Sequence, residues 1–415
     1  MSCSEGYRVP VGPDAPRWVT GRSRKTVLVV VHTVTSGQRL LDVVRLLAAD
    51  LRIQVVFTMA PDVFSNGVAE LLIRIGGVTL PWHLAIRERF DLAICAAYGG
   101  IENLHAPLVV VPHGAGYTKL VSRRSGGGAV AARGVYGLSA QELVRDGTVI
   151  PSAIVLAHEA ERLRLAQSCP EAVAVAEVVG DASHDRLVAS SPERGAYRQA
   201  LRVPAEHELV VVTSTWGPSS LFGRHPGLLR RVLSELPRDR YRVAALLHPN
   251  IWFGHGVWQI HTWLADCLRA GLMLVPPEAD WRGVLVAADH VVGDHGSAAV
   301  YATICGASVS LVEDAGDDVD PASAGGLLAS AAPRMRLDRP LPAQLCRAAA
   351  SHHPGRDAAV VARLTSAPGH FDRNMRRLIY RLMRLPQPLI LPKTDPVPLP
   401  YPACPPDHAA FKEHK

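Results

Sequence analysis

Val109-Val110-Val111-Pro112-His113-Gly114-Ala115-Gly116-Tyr117 is the stretch on which the fold reading turns. A run of β-branched residues ends in a proline, a histidine and two glycines, which reads as a buried parallel strand spilling into a tight loop. In open α/β sheets ligands bind beyond the carboxyl ends of the strands, so a titratable side chain at this place is positioned for chemistry. Glycine lets the backbone adopt positive φ and pass close to a ligand. The alternative is a loop histidine hydrogen-bonded to a neighbour, and this segment alone leaves both open.

Outward from that strand the same rhythm repeats. Apolar runs at Val27–Val31, Ile53–Thr58, Gly77–Leu80, Leu92–Cys95, Leu108–Val111, Ala153–Leu156 and Val173–Val178 read as strands. Between the first two, Leu40, Leu41, Val44, Leu47 and Leu51 recur at helical spacing. Strands that are apolar throughout, without alternation, imply a parallel sheet covered on both faces. The rhythm stops in a polar stretch near residues 180–208 and restarts with Leu209–Thr213, Arg242–Leu247, Leu272–Val275, His290–Val292 and Ser308–Val312. Helices are expected between them at Gly227–Leu236, His261–Ala270, Trp281–Ala287 and Ser297–Cys305.

The expected fold class is therefore α/β, with two doubly wound Rossmann-like domains facing across a cleft. The expected division is a polar arm over 1–24, an amino-terminal domain over 25–187 and a linker over 188–207. A nucleotide-binding domain over 208–370, an amphipathic basic helix over 371–386 and a proline-rich tail over 387–415 complete it. That helix sets Met375, Leu378, Ile379, Leu382 and Leu385 on one face and arginines on much of the rest. Such a face packs on the fold or lies on a membrane surface.

The 415 residues are too many for one ordinary core, and 48% hydrophobic with 20% charged residues describes a globular chain. The net charge of +6 suits an anionic small ligand and gives no reason to expect nucleic acid. Seven dispersed cysteines contain no Cys-x-x-Cys pair, so neither a zinc ribbon nor a disulfide framework is expected. The first residues are polar and lack the apolar core of a secretory signal, so the chain reads as cytoplasmic.

Five loops follow apolar strands. His32-Thr33-Val34-Thr35-Ser36-Gly37 precedes a helix, and Ser36 either caps it or meets a ligand. His113-Gly114-Ala115-Gly116 is the second. Thr213, Ser214 and Thr215, before Trp216-Gly217, either ring a phosphate or form a plain turn. His248, in Leu246-Leu247-His248-Pro249, is a second strand-end histidine, in the other half of the chain. Asp294-His295-Gly296-Ser297 runs from a strand into a helix, an arrangement whose backbone amides suit a diphosphate. No P-loop, no Gly-x-Gly-x-x-Gly after the first strand and no Gly-x-Ser-x-Gly elbow occurs.

With these loops in order the chain resembles the GT-B superfamily, and within it the CDP-glycerol glycerophosphotransferases (teichoic-acid polymerases) and the UDP-N-acetylglucosamine 2-epimerases. The resemblance runs from about Leu92 to Val312. His113-Gly114 is similar to a His-Gly-Thr-Pro segment whose histidine is taken as general base. Gly180-Asp181-Ala182-Ser183-His184-Asp185-Arg186-Leu187 is similar to Gly-x-Pro-Arg-x-Asp-x-Leu. Thr213-Ser214-Thr215-Trp216 is similar to Pro-Thr-Trp-Arg, and His248-Pro249 to Arg-x-His-Pro. Asp294-His295-Gly296-Ser297 is similar to the nucleotide-diphosphate loop. Gly217 and Leu246 stand where two phosphate-binding arginines are expected, and Ala115-Gly116 replaces Thr-Pro.

The resemblance implies a metal-independent transferase that takes a nucleotide-diphosphate-activated donor as substrate and needs no cofactor, acting in cell-envelope or secondary metabolism. His113 and His248 would be catalytic, with Gly114, Gly116 and Ser36 on the acceptor side. Thr213, Ser214, Thr215, Asp294, His295, Gly296 and Ser297 would hold the diphosphate. The partners expected are the activated donor and a hydroxyl acceptor, with peripheral membrane contact through 371–386 as a further expectation. A sugar-nucleotide epimerase or hydrolase, and a nucleotide-binding scaffold that has lost catalysis, are the alternatives.

Overall fold

The computed structural model describes residues 10–12, 15, 19, 25–121, 134–312 and 318–403. Most of the polar arm and the end of the tail lie outside the described residues. The chain divides into two compact units, one running to Asp185 and taking back Leu364–Thr394, the other spanning Arg186–Arg363 and the segment from Asp395.

The first unit is built on β1 (Lys25–Val31), β2 (Ile53–Met59), β3 (Leu92–Cys95), β4 (Leu108–Val110), a hairpin of β5 (Val144–Arg145) and β6 (Thr148–Val149), β7 (Ala153–Leu156) and β8 (Ala176–Val178). Six of these form one parallel sheet in the order β2-β1-β3-β4-β7-β8. All of Val27–Val31 and Leu92–Cys95 are buried, as a sheet covered on both faces requires. The order reverses between β1 and β3, which makes their carboxyl ends the topological switch point.

The second unit holds β9 (Glu208–Ser214), β10 (Tyr241–Leu247), β11 (Met273–Val275), β12 (His290–Gly293) and β13 (Ser308–Leu311). They pair in parallel in the order β11-β10-β9-β12-β13, so this switch point lies between β9 and β12. Val210, Val212, Val243, Ala245, Trp252 and Leu274 are among its buried core residues.

Several elements differ from the sequence reading. The helical stretch after β1 ends at Leu47 and leaves Leu51 exposed, and His261–Ala270 is divided between helices at Val257–Trp263 and Ala265–Arg269. Gly77–Leu80 is not a strand; Thr79 makes a single parallel bridge to Phe57, and Val78 is exposed. The front of Val173–Val178 is a 3-10 turn that begins at Pro170, and only Ala176–Val178 enters the sheet. The polar stretch expected as a linker is largely helical, with helices at Ala182–Ser190 and Arg194–Ala200.

The amphipathic helix Phe371–Leu382 belongs to the first unit. Met375, Leu378 and Ile379 are buried, so the stripe is core. Its polar residues also hold it: Asp372 pairs with Arg45, and the Tyr380 hydroxyl donates to Asp50 at 2.8 Å. The Asp185 carboxylate accepts from the amides of Gly369 (2.7 Å) and Phe371 (2.9 Å), fixing where the helix begins. Among the described residues no helix is long and apolar enough to cross a membrane.

Met375 has no exposed surface. Met375→Ala is therefore expected to lower stability in equilibrium denaturation by about 2–5 kcal/mol. A change within about 0.5 kcal/mol, the ordinary surface value, would show that this face is not core.

Candidate functional site

In the first unit the polar chemistry collects at the carboxyl ends of the strands. His32 directly follows β1 and is fully buried, and its Nε2 lies 2.8 Å from the Gly99 carbonyl in the loop after β3. His32 thus bridges the switch point. Burial lowers its pKa, against the opposing effects of the Gly99 carbonyl and of Asp62.

Ser36 is occupied as a cap. Its hydroxyl accepts from the Thr33 amide at 2.9 Å and donates to the Thr33 carbonyl at 2.8 Å, while the Ser36 amide donates to the Thr33 hydroxyl. This closes a capping box on the helix Val34–Val44.

His113 follows β4 and is exposed. Its ring meets the Tyr136 ring edge-on at 6.3 Å between centroids. The pKa of His113 is lowered, chiefly by desolvation and next by the charge of Arg39, so the ring is neutral at neutral pH. A neutral imidazole carries on one nitrogen the lone pair a base requires.

The loop around His113 is held from below. Gly116 has φ +68°, and a Cβ there would lie 2.3 Å from the Glu161 carboxylate, so only glycine fits. Glu161 is buried and accepts from the amides of Tyr117 at 2.9 Å and Ala157 at 2.7 Å, joining the loop after β4 to the one after β7. Gly114 offers its carbonyl to the Arg39 guanidinium at 2.6 Å.

In the second unit the two predicted diphosphate loops meet at the switch point. Asp294, at the end of β12, is 1% exposed and accepts from the Thr215 amide (2.9 Å), the Thr215 hydroxyl (2.6 Å) and the Leu221 amide (3.0 Å) through one oxygen. Its other oxygen accepts from Gly296 at 3.2 Å. The carboxylate is thus an inward tie that shapes both loops. A Cβ on Gly293 would lie 2.3 Å from the Thr213 hydroxyl, so β9 and β12 approach closely here. Ser214 is turned into its own loop, donating to the Thr215 carbonyl and accepting from the Phe222 amide. His295, Gly296 and Ser297 are half-buried, and Ser297 opens the helix Ser297–Ala302.

His248 follows β10 and caps the helix Pro249–His255 through Nδ1, which accepts from the Asn250 amide at 3.1 Å. That bond places the ring proton on Nε2. The Trp216 ring lies beside it, 6.3 Å between centroids, so the loops after β9 and β10 adjoin as well.

Against solved structures, the chain is similar to the wall teichoic acid polymerase TagF, with a TM-score of 0.60 and 12% identity over 88% of this chain and 90% of that one. It is also similar to the UDP-GlcNAc 2-epimerase from Methanocaldococcus jannaschii, with a TM-score of 0.50 and 11% identity over 86% of this chain and 99% of that one. The fold is GT-B. It consists of two Rossmann-like α/β units with parallel sheets of six and five strands. No family model matches the sequence, and no curated protein matches it.

From the sequence alone, His32 and Asp181 stand within recognised loops with no role given to either, and Arg39 and Glu161 pass unremarked. Nothing in the sequence marks His32 as buried. Arg39 and Glu161 look like ordinary polar positions on helices, with partners distant in sequence.

The lowered pKa of buried His32 carries a pH dependence. Between its folded value and the reference of 6.5 the unfolded chain binds more protons than the native one. This stability is present above about pH 6.5 and lost as the pH falls through the folded value. The denaturation midpoint should fall between about pH 7 and 5, and His32→Gln should make that fall shallower. An unchanged acid slope in His32→Gln would contradict burial as the cause.

Proposed function

We propose that the protein is a transferase that moves a glycosyl or glycerophosphate group from a nucleotide-diphosphate-activated donor to an acceptor hydroxyl. The observation that carries this reading is the second switch point, where the Asp294 carboxylate ties Thr215 to the Asp294–Ser297 loop. The same fold hosts many chemistries, so the argument rests on these loops and on His113.

In this scheme the second unit holds the donor diphosphate over the half-buried Thr215 and His295–Ser297, with the buried Thr213 and Ser214 beneath them. Asp294 sets the spacing of the two loops. His248 donates from Nε2 to a phosphate oxygen, a role that its Nδ1 bond to Asn250 supports. The first unit supplies the base. His113 takes the proton of the acceptor hydroxyl as that oxygen bonds to the transferred group, and the nucleotide leaves with the electron pair of the broken bond. A neutral imidazole at neutral pH suits this task, and general-base catalysis contributes about 10² to 10⁴ in rate. No metal or cofactor enters the scheme.

The epimerase or hydrolase reading needs an acid near the sugar. The Asp294 carboxylate is already engaged by Thr215, Leu221 and Gly296, which weighs against that role. A scaffold without catalysis draws support from Gly217 and Leu246 standing at the two arginine positions.

Donor consumption with and without a hydroxyl acceptor separates the three readings. The transferase predicts acceptor-dependent consumption that falls about 10²-fold or more in His113→Ala, with donor affinity near that of the unaltered protein. Epimerisation or hydrolysis without acceptor, or undiminished turnover in His113→Ala, would contradict it.

A further inference from the structure

Arg39 has no place in the transfer scheme, yet it lies beneath the loop that carries the proposed base. It sits on the helix Val34–Val44 and is 9% exposed. Its Nη1 donates to the Ser183 hydroxyl at 2.9 Å, and its Nη2 donates to the Asp181 carboxylate at 3.1 Å and to the Gly114 carbonyl at 2.6 Å.

A buried guanidinium needs a counter-charge, and Asp181 supplies one. Asp181 is itself fixed, because its other oxygen accepts from the His184 amide at 2.7 Å. Ser183 sits on the same helical turn, so Nη1 and Nη2 are anchored on one rigid element. The third bond reaches the residue directly after His113. Two glycines in four residues would leave this loop free to sample many conformations. The Gly114 carbonyl is instead gripped by Arg39 and also accepts from the Gly116 amide at 2.9 Å.

We infer that Arg39 is a positioning residue: its guanidinium, anchored on Asp181 and Ser183, clamps the Gly114 carbonyl and so presents His113 for reaction. The catalytic part of this inference rests on the reading of His113 as base. The clamp itself does not depend on it. Among the described residues the charged and titratable groups that face His113 are Arg39 from the helix below, Lys119 from the following loop and the Tyr136 ring. The charge of Arg39 disfavours the imidazolium, adding to the larger effect of desolvation.

The test uses the full chain with ¹³C-labelled histidine, the His113 signal being assigned by its loss in His113→Gln. In Arg39→Gln the His113 titration midpoint should move to higher pH, and kcat should fall about 10²-fold with little change in donor KM, as expected for a misplaced group. Arg39→Lys keeps the charge without the planar fork, so its midpoint should stay near that of the unaltered protein while kcat still falls. A folded Arg39→Gln protein that keeps full kcat would overturn the inference. If Arg39→Gln does not fold, Arg39→Lys decides: full kcat overturns the clamp, and reduced kcat at an unmoved midpoint supports it. A midpoint that moves in Arg39→Gln while the unaltered protein turns over no donor would remove the transferase reading and leave the clamp standing.

Discussion

A parallel strand covered on both faces can carry polar groups only at its ends, and this constraint organises both units. The strand interiors of β1, β3, β9 and β12 are apolar and buried. Hydrophobic burial of this kind is non-directional, so it fixes the sheet without fixing the loops. What fixes the loops is a small set of buried charged and polar groups, each bridging two strand ends. His32 spans β1 and β3, Glu161 spans the loops after β4 and β7, and Asp294 spans those after β9 and β12.

Such groups are costly to desolvate, and the charged ones here are matched by partners. Asp294 has four donors drawn from Thr215, Leu221 and Gly296. Glu161 has backbone amides from two loops, and Arg39 a counter-ion, a hydroxyl and a carbonyl. These buried ties surround the positions proposed for chemistry, and His113 itself stays open to solvent. Rigidity below and access above are what a base that must meet an incoming hydroxyl requires.

The sequence disclosed the fold because its signal is local. Leu92–Cys95 and Ser308–Leu311 are strands in the structure over nearly the bounds their apolar runs suggest. The signal failed where a run was short or half exposed, as at Gly77–Leu80, or where Pro170 starts a turn that uses up the following valines. The two-residue strands β5 and β6 are too short to leave any periodicity. The strand-end loops were legible for the same local reason, and the contact between the Thr215 and Asp294 loops follows from the strand order. The ties were not legible. Arg39 and Asp181 are 142 residues apart, and an arginine on an amphipathic helix looks the same whether it faces water or a buried carboxylate.

The central claim is that the rim between β9 and β12 holds a nucleotide diphosphate. Thermal unfolding of the full chain with CDP, UDP, GDP and ADP, and with their sugar or glycerol conjugates, tests it most directly. A ligand at about 100 times its dissociation constant adds roughly 2.7 kcal/mol, which is readily visible. Selective stabilisation by the nucleotides of one base, lost when Asp294 is replaced by alanine in a protein that still folds, is the predicted result. Unfolding temperatures that none of these ligands moves would contradict the account.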